Sequence, residues 1–155
     1  MAYPYRSILI PIEFDDPSLV ALGFAKQIAT DQGATLHLLH VAQILPAFGE
    51  SDVSENEHSP GEEKARAMLM EIAKRHPTKH EIHTASASAR ALAKAVVQVA
   101  TEVNADVIVL NTHGRKGLSR FILGNVAEEV VRTAPCPVLT LSPAAQEKAA
   151  HLKLE

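Results

Sequence analysis

Four aliphatic runs constrain this chain more than anything else in it: RSILIPI at 6–12, TLHLLHV at 35–41, DVIVL at 106–110 and VLTL at 138–141, none joined to the next by a hairpin turn. Runs rich in Ile, Val and Leu, without polar alternation, suit strands buried on both faces, the situation of a parallel sheet. A fifth run, His80 to Ala85, is more polar and reads as a strand nearer a sheet edge. Helical spacing fills the intervals. Asp16 is placed as an N-cap with Pro17 at the first helical position, Ala21, Phe24, Ala25, Ile28 and Ala29 repeat along one face, and Gly33 supplies the stop. Ser59, Pro60 and Glu62 open a second helix with Ala65, Met68, Leu69 and Ile72 inward. Ser88 caps a third, which turns Leu92, Val96, Val99, Ala100 and Val103 inward, and a fourth runs from about Asn125 to Thr133. Residues 42–59, rich in Pro, Gly, Ser and acidic residues, read as a long mobile loop, and 143–155 as a polar, frayed tail.

The resulting order, β-α-β-α-β-α-β-α-β, implies an α/β fold: a single doubly wound sheet of five mainly parallel strands with helices on both faces, flavodoxin-like or Rossmann-like. The 155 residues make one domain, 1–155, with a folded core of about 5–142. Ligands of such sheets sit beyond the carboxyl ends of the strands, where strand order reverses. That point lies beside the first strand in a 2-1-3 order, or between the first and fourth strands if the third is at the edge.

Charge and cysteine use narrow the partners. A net charge of −3 gives no electrostatic footprint for nucleic acid, and no run of about 18 apolar residues is present to cross a bilayer. A single cysteine, Cys136, excludes an internal disulfide and suits a reducing compartment, so a cytoplasmic location is expected. Flanked by prolines before a buried strand, Cys136 is read as a core residue and not a nucleophile.

The segment NTHGRKGLSRFILGNVAEEVVRTAPCP, Asn111 to Pro137, carries the functional signal. A strand opens into a loop with Gly114, Gly117 and Gly124, followed by a helix start at Asn125. Glycine lets backbone amides approach an anion, and a helix N-terminus adds unpaired N–H groups and the positive end of a dipole, so the segment suits a phosphate cradle. Turn geometry alone also uses such glycines. Glu13, Asp15 and Asp16 form an acidic loop after the first strand, able either to solvate and cap or to hold Mg²⁺ beside phosphates, with Asp15 the metal candidate. Among the eight histidines, His37 and His40 lie three apart on one strand and point to opposite faces, and His80 and His83 share the same odd spacing. No structural zinc site is expected from these spacings.

ILIPIEFDDPS near the start, HVAQ after the second strand and NADVIVLNTHGRKGLSRFILGNVAEEVVRTAPCPVLTL near the end together resemble the universal stress protein family, over Arg6 to about Leu141. The resemblance implies an adenine-nucleotide alpha-hydrolase-like fold and a stress-response module that binds ATP, or AMP or ADP, with Mg²⁺ as a possible companion. Nucleotide-binding members carry a glycine, two residues, a glycine, nine residues, then a glycine with serine or threonine. Gly114 and Gly124 match the second and third glycines; Asn111 stands at the first and Asn125 at the hydroxyl. By resemblance, adenine would lie near Ile12, Glu13 and Val41, ribose near Leu110 and Asn111, and phosphates on Gly114, Arg115, Gly124, Asn125 and Val126. Glu13 replaces the family's usual aspartate. The two asparagines lead to an expectation of weakened or altered nucleotide binding. The family also implies a homodimer through the last strand, Val138, Leu139, Thr140 and Leu141, and an unidentified protein partner. No nucleophile is paired with a positioned base, so no catalytic residue is assigned and at most slow ATP hydrolysis is expected. The alternative reading is a stress protein that binds no nucleotide and acts as a protein-interaction dimer.

Overall fold

The computed structural model describes residues 4–14, 16–44, 60–76, 78–111 and 126–150. Its strands are β1 (Ser7–Pro11), β2 (Thr35–Gln43), β3 (His80–Ala87), β4 (Val107–Asn111) and β5 (Val138–Leu141). Its helices are α1 (Asp16–Gln32), α2 (Pro60–Lys74), α3 (Leu92–Glu102), α4 (Glu128–Thr133) and α5 (Pro143–Ala150). All four strand pairings are parallel and the order is β3-β2-β1-β4-β5. Of the two placements open to the sequence, the one with the third strand at the edge is adopted. Strand order therefore reverses between β1 and β4.

The aliphatic runs behave as their composition requires. Ile8, Leu9 and Ile10 in β1 and Val107, Ile108 and Val109 in β4 have no exposed surface, because both strands are covered above and below. On one face Ile8, Ile10, Leu36, Leu38, Val107 and Val109 pack with Ala21, Leu22 and Ala25 of α1 and Leu69 of α2. On the other, Leu9, Leu39, Ile108 and Leu110 pack with Ala93, Val96 and Ala100 of α3 and Val130 of α4. The alanines let helices sit close to the sheet. Cys136 packs partly buried against this second cluster, and burial followed by the nearby Asp106 carboxylate pushes its thiol pKa up, as suits a core residue.

The turns supply the remaining geometry. Gly33 ends α1 at φ 67°, a left-handed stop in which an added Cβ would meet only the Arg6 guanidinium at 3.9 Å. Asn104 adopts φ 52° after α3, the non-glycine residue best suited to that region. Asp106 then ties the start of β4 to the start of β1: its Oδ2 accepts from the amides of Arg6 at 2.8 Å and Ser7 at 3.0 Å.

Four expectations need correction. Ala42 and Gln43 belong to β2 and not to a loop, because they keep register with Ser86 and Ala87 of an equally lengthened β3. Met68 is exposed, and Ala73 takes the inward place with Ala65 and Leu69. Ser88 precedes a 3-10 turn, Ala89–Ala91, and makes no side-chain cap bond. The tail is helical over 143–150: Ser142 Oγ accepts from Ala145 N at 3.2 Å, and α5 packs on α1 with Ala145 against the first core cluster. Ser-Pro is an N-cap followed by proline at the first helical position, a signal that the polar composition of the tail masks. The remainder of the expected loop, 45–59, lies outside the described residues.

Asp106→Ala removes the acceptor for two backbone donors at the strand ends and is expected to lower stability by about 1–3 kcal/mol, read from the urea unfolding midpoint. Gly33→Ala, with room for its methyl but a positive φ to sustain, is expected to cost about 1 kcal/mol by the same measurement.

Candidate functional site

The carboxyl ends of β1, β2 and β4 diverge around a cleft of 310 Å³ at the point where strand order reverses. Pro11, Ile12 and Glu13 leave β1 along one wall; Leu39, His40, Val41 and Gln43 of β2 form the second; Leu110 and Asn111 of β4 form the third. Leu92 and Val96 of α3 and Val126 and Ala127, in a wide helical turn leading into α4, complete the lining. Six residues placed at a site from the sequence therefore face one cavity: Ile12, Glu13, Val41, Leu110, Asn111 and Val126. Gly114, Arg115, Gly124 and Asn125, with Asp15, lie outside the described residues, as do His113 and Gly117.

The wall at β1 is built by local bonding. Ile12 continues the ladder one step beyond the strand, its amide donating to the Leu39 carbonyl at 2.7 Å, and Glu13 then turns outward and is exposed. Phe14 follows at φ 61°, a conformation that costs a non-glycine residue about 1–2 kcal/mol and persists only where packing enforces it. The enforcing contact is His40. Its ring lies 4.8 Å from the Phe14 ring, and its Nδ1 donates to the Ile12 carbonyl at 2.7 Å. Since a carbonyl can only accept, His40 carries its proton on Nδ1, and the histidine acts as a strut between the mouths of β1 and β2.

Asn111 stands at the opposite wall as the last residue of β4. Its Oδ1 is buried with no hydrogen-bond partner among the described residues. A buried acceptor without a donor costs about 1–3 kcal/mol, so this oxygen is a standing invitation to a donor entering the cleft. The rest of the lining is mostly aliphatic, which suits a flat apolar body such as a heterocycle more than a charged one. Among the described residues no pair of cleft side chains sets a nucleophile beside a base, and none of the described helices is long and apolar enough to cross a membrane.

Sequence reasoning missed Pro11, Leu39, His40, Gln43, Leu92, Val96 and Ala127. The signal for Gln43 was the length of β2, and for Leu92 and Val96 it was the choice of face: both were expected inward, but their position at the mouth depends on where α3 crosses the sheet. At the far edge of the sheet β5 pairs only with β4 among the described strands, so Val138 to Leu141 form an edge.

The sequence model of the universal stress protein family matches residues 4–142. A universal stress protein of Methanocaldococcus jannaschii is 34% identical over 149 residues, covering 92% of this chain and 85% of that protein. The universal stress protein A homolog 1 of Coxiella burnetii is 30% identical over 143 residues, covering 88% and 96%. Among solved structures, a universal stress protein in complex with cAMP matches with a TM-score of 0.66 and 25% identity over 89% of this chain and 97% of that one. The Archaeoglobus fulgidus universal stress protein in complex with dAMP has the same fold, with a TM-score of 0.62 at 23% identity over 88% and 97%.

His40→Phe keeps a ring beside Phe14 and removes the donor to Ile12. It is expected to lower stability by about 1 kcal/mol in urea unfolding, and an unchanged midpoint would show that the Ile12 carbonyl does not depend on the strut.

Proposed function

The chain belongs to the universal stress protein family, and on that footing we propose that it is an adenine-nucleotide-binding module, with ATP as its reference ligand and AMP or ADP as related ones, acting as a homodimer with little or no catalysis. The observation that carries this reading is the buried Oδ1 of Asn111, without a hydrogen-bond partner among the described residues, at the mouth of a largely apolar cleft. Ile12, Val41, Leu110 and Val96 offer aliphatic surface to a base, and Asn111 offers an acceptor to an exocyclic amine or a ribose hydroxyl. Complexes of relatives with cAMP and dAMP support the same ligand class. The phosphates are assigned to Gly114, Arg115, Gly124 and Asn125 together with the amide of Val126, and Mg²⁺, when bound, would add charge neutralisation between phosphate oxygens and the carboxylates of Glu13 or Asp15. This chain's own contribution is binding and orientation.

Dimerisation is assigned to β5. Because Ile108 N donates to Pro137 O, the parallel pattern turns the amides of Val138 and Thr140 away from β4, toward the open edge. Leu139 packs against the first core cluster, so a charge there would disturb folding as well as association. Thr140 is exposed and separates the two effects.

Isothermal titration of nucleotide-stripped protein with ATP and Mg²⁺ is expected to give binding in the micromolar range, abolished by Gly124→Val and weakened by Asn111→Gly, which removes the Oδ1 acceptor. A silent wild type would sink the nucleotide reading and leave the interaction dimer in its place. Thr140→Pro removes an outward donor without a ladder bond to β4 and is expected to halve the mass seen by light scattering; an unchanged mass would remove β5 as the interface.

A further inference from the structure

On the face of the sheet that carries α3, the register sets His37 of β2 opposite Glu81 of β3, with His83 two residues further along the same side. Side chains two apart on a strand share a face, so three potential ligands converge across one strand pair. His37 Nδ1 lies 2.9 Å from His83 Nε2, and the same Glu81 Oε2 lies 3.5 Å from the first and 3.9 Å from the second. A triangle with those sides has a circumradius of about 2.0 Å, so an ion slightly above its plane stands about 2.1 Å from all three atoms, the Zn–N and Zn–O distance.

The surroundings suit a cation. His37 is 6% exposed and its ring is fixed by the core, while the Glu81 side chain is 60% exposed and leaves one side open to water for the remaining coordination position. Burial lowers the pKa of both histidines, followed for His37 by its neighbour His83, so the rings are neutral and offer lone pairs. Glu102, at the end of α3, contributes a second negative charge near His83, and Arg66 of α2 a positive one. Without an ion, one proton bridges the two facing nitrogens. With an ion, that proton moves to the far nitrogen of its ring and both facing nitrogens become ligands.

We propose that His37, Glu81 and His83 form a binding site for a single divalent transition cation, with zinc as its expected occupant. Two imidazoles with one carboxylate and an open position are a donor set for zinc and its neighbours, and too poor in oxygen for calcium or magnesium. The site lies outside the nucleotide cleft, toward the amino-terminal ends of β2 and β3. It therefore stands or falls separately from the nucleotide reading.

The test uses tag-free, chelator-stripped full-length protein without nucleotide. Titration with zinc chloride alone is expected to give one ion per chain, and cobalt(II) to give the intense visible bands of a four-coordinate site. His83→Ala and Glu81→Gln, at partly exposed positions that leave the fold intact by circular dichroism, are expected to weaken zinc by more than about tenfold. His80→Ala, on the same strand and bonded to the Thr78 carbonyl, is the control and is expected to bind as wild type. No zinc uptake by the wild type, or unaltered affinity in His83→Ala, would overturn the site and leave His37 and His83 as a hydrogen-bonded pair. Loss of binding in His80→Ala as well would place the ion elsewhere and overturn it equally.

Discussion

Burial of β1 on both faces is the constraint from which the rest follows. Ile8, Leu9 and Ile10 are wholly enclosed, so helices must cover the sheet above and below, and a parallel strand so enclosed has every neighbour reached by a crossover. Right-handed crossovers then fix the faces: α1 and α2 lie on one side as the chain steps from β1 to β2 to β3, and α3 and α4 on the other as it returns to β4 and β5. Reversal beside β1 opens the cleft. Asp106 holds the opposite end of the same strand pair closed by gathering the amides of Arg6 and Ser7, so β1 and β4 are pinned at their starts and free to part at their ends.

At the cleft the backbone is less relaxed than in the core. Phe14 holds a left-handed conformation, Asn111 keeps an acceptor without a partner among the described residues, and His40 commits one ring nitrogen to bracing Ile12. His40 and Asn111 line the same cavity, and Phe14 packs against His40 behind that wall. Within the core, by contrast, the buried polar side chain among the described residues is His37, which has partners in His83 and Glu81.

Much of this was legible in the residues. Aliphatic runs located four strands and a more polar run the fifth, helical spacing located α1 to α3, and the family resemblance named Ile12, Glu13, Val41, Leu110, Asn111 and Val126, which line one cleft. What escaped was set by pairing over long sequence distances. The continuation of β2 through Gln43 depends on its partner Ala87, and the strut from His40 depends on a carbonyl 28 residues earlier. The tail is the exception, since Ser142 and Pro143 spelled out a helix start that composition obscured.

The histidines make the same argument in its sharpest form. Read along one strand, His37 and His40 point to opposite faces and cannot hold one ion together. The relation that matters runs between strands, His37 to His83 over 46 residues, and exists only once the register of β2 on β3 is fixed. That register also relates the two candidate sites. His37, Leu39 and Val41 alternate onto one face, so the cluster adjoins Leu39, which is the register partner of His83 and itself lines the cleft. The packed pair of β2 and β3 is the direct mechanical connection between the cluster at the base of β2 and the cleft at its tip.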